Sequence, residues 1–188
     1  MHTTTRSRDE GFSLIELLMV VALMGIVGAM AMLIQPTYFQ HARADAAVSE
    51  AIDVFRSARE AAITQRRNVQ VNFIAPATLQ IVREEVPTSS GTTVLRTVPL
   101  SNGMQFLLQN SVPDTPDLFG NATATAFGPS TKRIFTSDGS FIDSNAEILN
   151  GSLLLSIPGE KNSARAITVF GPTGHLRVWR WDGVKWTE

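Results

Sequence analysis

Cysteine is absent from the 188 residues. That excludes a disulfide scaffold, a thiolate metal site and a cysteine nucleophile. It leaves the compartment open, because oxidising spaces tolerate proteins without disulfides. Charge is also sparse, at 18% of residues against about 25% in an average globular chain. Sixteen Lys and Arg against seventeen Asp and Glu give a net charge of −1, which disfavours a strongly basic nucleic-acid binder and leaves room for a local basic patch. The three histidines, His2, His41 and His175, are scattered without metal-ligand spacing. No G-x-S-x-G, H-E-x-x-H or phosphate-cradling Walker pattern occurs. The expectation is a chain that is not an enzyme and uses no cofactor or metal. Hydrophobic residues make up 44%, enough to argue against wholesale disorder.

The missing charge is concentrated in one place. Between Glu16 and Arg43 every residue is uncharged, and Phe12 to Ile34 is apolar apart from Ser13 and Glu16. A helix of roughly 20 apolar residues crosses a hydrocarbon core of about 30 Å, so 12–34 reads as a membrane-spanning segment rather than a buried soluble helix. Arg6 and Arg8 precede the run and Arg43 follows it. Positive residues stay cytoplasmic, which places the N-terminus inside and the bulk of the chain outside. Ala29-Met30-Ala31 fits a signal-peptidase site, but the run is longer than a secretory apolar core, carries the carboxylate of Glu16, and continues in helical register past Ala31. A carboxylate inside an apolar helix costs about 2.5–3.5 kcal/mol at mid-bilayer and less near the interface. Glu16 therefore reads as functional, with a partner to be named, against the simpler reading of an acid exposed to headgroups.

Glu10-Gly11-Phe12-Ser13-Leu14-Ile15-Glu16-Leu17-Leu18 resembles the class III signal sequence of type IV prepilins and type II secretion pseudopilins. The resemblance implies a leader over 1–11, cleavage between Gly11 and Phe12 by a prepilin peptidase on the cytoplasmic side, and N-methylation of Phe12 by the same enzyme. It also implies partners: other pilins or pseudopilins in a filament, and the bacterial inner membrane, crossed once with the head in the periplasm. Glycine lets the scissile bond enter a tight protease site in an extended form. The new amino group of Phe12 offers the Glu16 carboxylate of a neighbouring subunit an opposite charge that offsets its burial.

Beyond the run, Pro36 removes one helical hydrogen bond, and Gly25 and Gly28 weaken the same stretch. One kinked helix is favoured over a stop at Thr37 followed by a second helix. From Gln40 the pattern turns amphipathic: Val48, Ile52, Phe55, Ala58, Ala62 and Ile63 recur at spacings of three or four. Helix is expected to about Gln65, with this stripe packed on a sheet, so that 35–66 continues the spine begun at 12–34.

From 67 to 188 the period changes. Strands are expected at 69–73, 79–82, 93–98, 104–108, 133–136, 140–142, 153–157, 167–170 and 176–181. Gly171-Pro172-Thr173-Gly174 reads as a hairpin turn, and 109–131 as a long loop that is either functional or mobile. The fold class is α+β, a long N-terminal helix packed on an antiparallel sheet head. Ala58–Ile63, the strand at 69–73 and the terminal Ile167–Arg177 hairpin resemble the GspH/FimT group of minor pilins and pseudopilins. The absence of a C-terminal cysteine pair departs from many major pilins.

Three smaller features remain. Arg177, Trp179, Arg180, Trp181, Lys185 and Trp186 hold all three tryptophans. Interleaved bases and aromatics can grip DNA through phosphate contacts and stacking, and FimT-like proteins are associated with DNA uptake. Arg177, Arg180 and Lys185 are thus candidate DNA contacts, against tryptophans packed over the sheet with snorkelling arginines. Asp138, Asp143 and Asn145 read as turn residues, with a calcium loop as the alternative. Asn121 and Asn150 head glycosylation sequons that read as chance matches. The leading functional expectation is a minor pseudopilin of a type II secretion system at or near the pseudopilus tip. The alternatives are a minor type IV pilin acting in pilus assembly or DNA uptake, and a single-pass envelope protein outside any filament.

Overall fold

The computed structural model describes residues 13–120, 123–129 and 132–188, with the side chains of 31–38 also outside the description. The leader, Gly11, Phe12, Asn121 and the side chain of Pro36 therefore lie outside the described residues. The chain divides into two compact units, Met1–Tyr38 and Phe39–Glu188. One helix, α1 (Leu14–Gln65, 52 residues), supplies residues to both. It ends where the amphipathic pattern predicts, and no second helix starts after Thr37.

In the first unit the apolar side chains of α1 are exposed, among them Leu14, Leu17, Leu18, Met19, Val27 and Met30. Among the described residues no helix is long and apolar enough to cross a membrane. The described side chains of the run stop at Met30, short of the roughly 20 apolar residues that a span takes. The span expected over 12–34 thus includes side chains outside the described residues at both ends.

In the second unit α1 buries one stripe: Ala44, Ala47, Val48, Ala51, Val54, Phe55, Ala58 and Ala62. The spacing of three and four puts these on one face. The stripe departs from the sequence expectation at its edges. Ile52 is only partly buried, and Ile63 is 39% exposed, while Ala44, Ala47, Ala51 and Val54 do the packing.

Eleven strands follow among the described residues: β1 (Val69–Ile74), β2 (Thr78–Glu84), β3 (Thr92–Pro99), β4 (Gln105–Phe106), β5 (Thr125–Ala126), β6 (Ile134–Phe135), β7 (Phe141–Ile142), β8 (Gly151–Ile157), β9 (Glu160–Phe170), β10 (His175–Trp181) and β11 (Trp186–Thr187). They form two sheets instead of one, in the orders β3-β2-β1-β6-β7 and β11-β10-β9-β8-β4, with β5 also pairing β8. All pairings are antiparallel. Three expectations need correction. β4 is only two residues long. β5 and β11 lie in stretches read as irregular. β9 begins at Glu160, seven residues before the expected start at Ile167, because its polar first half is held by the backbone ladder to β8 and β10.

The main core lies between α1 and the two sheets. Val69, Val71, Leu79 and Ile81 come from the first sheet, and Leu153, Leu155, Ile167 and Val169 from the second. Phenylalanine rings join the layers: Phe55 of α1 meets Phe73 and Phe135 at 6.1 and 6.4 Å, and Phe135 meets Phe141 at 4.6 Å. A second, smaller core covers the opposite face of the β8–β11 sheet, where Leu154, Ala166, Trp179, Trp181 and Trp186 pack with Val112. The stretch expected as a long loop supplies that cover. Pro113 O accepts the indole N–H of Trp186 at 2.9 Å and Thr115 is fully buried, while Phe127 of the same stretch packs into the main core.

Truncating Phe55 to Ala removes a fully buried ring of the main core and should cost about 3–5 kcal/mol. Ile63→Ala, on the same helix but half in solvent, should cost less than about 1 kcal/mol. Equilibrium denaturation of the two variants measures the contrast. Equal losses would place Ile63, not the observed stripe, in the core.

Candidate functional site

The N-terminal end of α1 is built from Ser13 and Glu16. Ser13 precedes the helix, and its hydroxyl oxygen accepts the backbone N–H of Glu16 at 3.3 Å. Its carbonyl also accepts from Glu16 N and Leu17 N at 3.0 and 3.2 Å. Ser-x-x-Glu is the sequence of a capping box, a signal that the reading of Glu16 as an intramembrane acid passed over. A carboxylate in the first turn also meets the positive end of the helix dipole. Glu16 itself is exposed, and among the described residues it has no cationic partner. Gly11 and Phe12, the bond between them and the amino group proposed to meet Glu16 lie outside the described residues.

The structure separates the C-terminal arginines and tryptophans. Trp179, Trp181 and Trp186 are 8%, 6% and 8% exposed, so their faces are packed rather than presented for stacking. The indole N–H of Trp179 reaches Asp117 Oδ2 at 3.1 Å and Thr168 Oγ1 at 3.2 Å. Arg177 is on the same face of β10 and donates to Asp117 Oδ1 at 2.9 Å. Arg180 is on the opposite face, 3.9 Å from Asp45 of α1. Lys185 is exposed in the turn before β11. The three basic candidates thus do not converge on one surface, and two of them face carboxylates.

A charged cluster that sequence reasoning missed lies where α1 meets β9. Arg165 is 1% exposed. Its Nε donates to Asp45 Oδ1 at 2.7 Å, and Nη1 donates to the carbonyls of Asn162 and Ala164 at 3.1 and 2.9 Å. Its Nη2 lies 3.3 Å from His41 Nδ1 and 3.4 Å from His41 O. A guanidinium only donates, so His41 Nδ1 accepts and its ring is neutral in this arrangement. Arg165 and Arg180 are directly opposite across β9 and β10, a like-charge pair that destabilises a sheet. Asp45 between them offsets it. Only the helical register of 41 and 45, one turn apart, hints at this cluster in the sequence.

Asp138 and Asp143 each close their own turn. Asp138 accepts from the Thr136 hydroxyl and from Ser140 N at 3.0 Å, and these bonds, the Thr136 hydroxyl first, hold its carboxyl down to about 2. Asp143 accepts from the backbone N–H groups of Asn145 and Glu147 at 2.7 and 3.0 Å. Among the described residues no group of side chains is arranged to hold a metal ion. Asn150 Oδ1 accepts Gly171 N at 2.7 Å, a structural bond between two strand ends.

Partial burial, followed by Arg180 and Arg165, lowers the pKa of His41 below its usual value, with Asp45 opposing. The folded state therefore takes up the His41 proton less readily than the unfolded chain. Stability is retained above about pH 6.5, the unfolded value, and is lost as pH falls below it towards the lowered folded value. Denaturant midpoints at pH 7.5 and 5.5 should fall more for wild type than for His41→Gln, whose amide oxygen can still accept from Arg165. Equal falls would remove His41 from the acid response.

Among known proteins, the family model described as the prokaryotic N-terminal methylation motif matches residues 6–32. No curated protein and no solved structure matches the chain. The matched stretch contains Gly11, Phe12, Ser13 and Glu16, and the head lies outside it. The motif implies processing by a prepilin peptidase and assembly with other pilin-type subunits. The observed helix on antiparallel sheets is the α+β arrangement that such subunits call for. This N-terminal segment is a prepilin-type methylation motif, and it supports a place for the chain in the type IV pilin and pseudopilin superfamily.

Proposed function

We propose that the chain is a minor pseudopilin of a type II protein secretion system, a non-enzymatic structural subunit at or near the tip of a periplasmic pseudopilus. The observation that carries this reading is the prepilin-type motif over 6–32 joined to an apolar run whose described side chains are exposed. An apolar stretch of this extent calls for lipid or neighbouring helices. In this reading the leader 1–11 is removed, Phe12 becomes the methylated N-terminus, and the helix anchors the subunit in the inner membrane with its head in the periplasm. The GspH/FimT-like subtype is supported by the β9–β10 hairpin, which spans the residues of that resemblance. A DNA-capturing minor type IV pilin comes second. The buried tryptophans and the Arg177–Asp117 pair take from it the Arg–Trp surface on which that reading rests.

Co-expression with a prepilin peptidase should yield a product lacking Met1–Gly11 and carrying one added methyl group, read by intact mass. Cleavage after Ala31, or no cleavage, defeats the proposal. A bulky residue in place of Gly11 should block processing.

Two Glu16 variants separate charge pairing from helix capping. Glu16→Gln keeps a residue type suited to the third helical position and removes the charge. If pairing with a neighbouring Phe12 amine drives assembly, both Glu16→Gln and Glu16→Val should be cleaved normally and fail to co-assemble with partner subunits. Full co-assembly of the glutamine variant would assign Glu16 to capping alone. Co-purification from detergent extracts gives the readout.

A further inference from the structure

A cleft of about 510 Å³ lies between the C-terminal part of α1 and the β9–β10 turn, lined by Arg56, Arg59, Ile63, Thr64, His175 and Leu176, among others. Its volume is in the range of ligand sites. Arg59 is held in place. Its Nε donates to Gly139 O at 3.1 Å, and the two turns of the β6–β7 and β9–β10 hairpins close on it. A methyl group on Gly139 would fall 2.9 Å from Arg59 Nη2, and one on Gly174 would fall 2.9 Å from Arg59 Nε and 2.3 Å from Gly139 O. Both glycines also have positive φ, 85° and 62°, so the backbone there suits glycine twice over. One hairpin from each sheet thus fixes a single guanidinium at the wall of the cleft.

The fixed group has unused donors. Among the described residues the terminal amino groups of Arg59 make no hydrogen bond, and neither Arg56 nor Arg59 has an ion-pair partner. Arg56 and His175 are exposed. A pre-set guanidinium with free donors matches the planar fork of a carboxylate. Ile63 and Leu176 add aliphatic wall beside it. Glu60 also lines the cleft and disfavours a polyanion, and no exposed tryptophan offers a base-stacking surface.

We infer that this cleft is a docking site for an acidic protein segment that presents a carboxylate next to an aliphatic side chain, with Arg59 as the oriented contact and Arg56 as the second cation. The inference rests on the head alone and holds whichever filament the subunit serves.

The test uses the full chain in a neutral detergent and a fluorescein-labelled peptide with one Asp flanked by Leu in an otherwise uncharged Gly-Ser sequence, followed by anisotropy. The control peptide replaces that Asp by Asn. The acidic peptide should bind at least tenfold more tightly than the control. Arg56→Gln, at an exposed residue without a partner, should weaken binding about tenfold with an unchanged melting curve. Arg59→Lys, which keeps the charge and loses the fork, should weaken it as much or more. No binding, equal binding of the two peptides, or binding indifferent to both substitutions overturns the proposal. Displacement of the peptide by inorganic phosphate or duplex DNA at lower concentration than the peptide itself also overturns it, in favour of a phosphate site. Failure here leaves the mass and co-assembly results untouched.

Discussion

The head depends on how closely α1 can approach two sheets at once. Five of the eight residues in its buried stripe are alanines, at 44, 47, 51, 58 and 62, each with no exposed surface. Alanine carries no side-chain entropy to lose and favours helix, and its small size lets strand side chains reach the helix backbone. The space left over is filled by large rings: Phe73 and Phe135 meet the lone large knob, Phe55, and Phe127 and Phe141 pack behind them. Small residues on the helix thus face large ones packed against it, the pairing that a close-packed interior needs. The price is low tolerance, since a larger residue at any of the five alanines pushes on both sheets.

Close approach also dictates the polar contacts at the ends of the stripe. Where α1 enters the head, Arg165 is carried into the interface by β9 and is satisfied at every nitrogen by Asp45, His41 and two carbonyls. A buried guanidinium left unpaired would be costly, so His41 and Asp45 fix the register of the helix against the sheet. Towards the other end of the stripe Arg59 performs the matching task with Gly139 O. Two arginines, one on the sheet and one on the helix, thus bracket the alanine stripe and limit sliding along the helix axis.

The sequence made the local features legible and hid the non-local ones. The end of α1 at Gln65, the first three strands and the β9–β10 hairpin follow from periodicity and turn residues within short windows. The division into two sheets does not. β1 pairs with β6 some 65 residues later, and no short window carries that information. The first half of β9, Glu-Lys-Asn-Ser-Ala-Arg-Ala, shows no apolar alternation, because Ser163 and Arg165 are buried with their hydrogen bonds satisfied. The terminal Arg–Trp alternation was legible as a strand, but its chemistry was not. Which side of β10 is covered depends on Val112 and Pro113, more than sixty residues upstream. Glu16 stood out as a charge in an apolar run, whereas its place beside the capping hydroxyl of Ser13 required the helix start.

The two units treat their apolar side chains differently. The head buries most of its large apolar groups in two internal cores and pairs several of its charges. The described apolar side chains of α1 before residue 31 are bare, and no described residue covers them. Lipid tails and the flanks of neighbouring apolar helices are nearly equivalent as cover, so hydrophobicity alone barely distinguishes a subunit in the membrane from one in a filament. A carboxylate does distinguish them. In lipid, Glu16 gains only from its own helix end. Beside another subunit it gains an opposite charge if a free amino group is within reach, and in a water-poor setting that attraction is strong. On the proposed reading, the apolar run supplies an affinity common to both environments, and Glu16 supplies the difference that favours assembly.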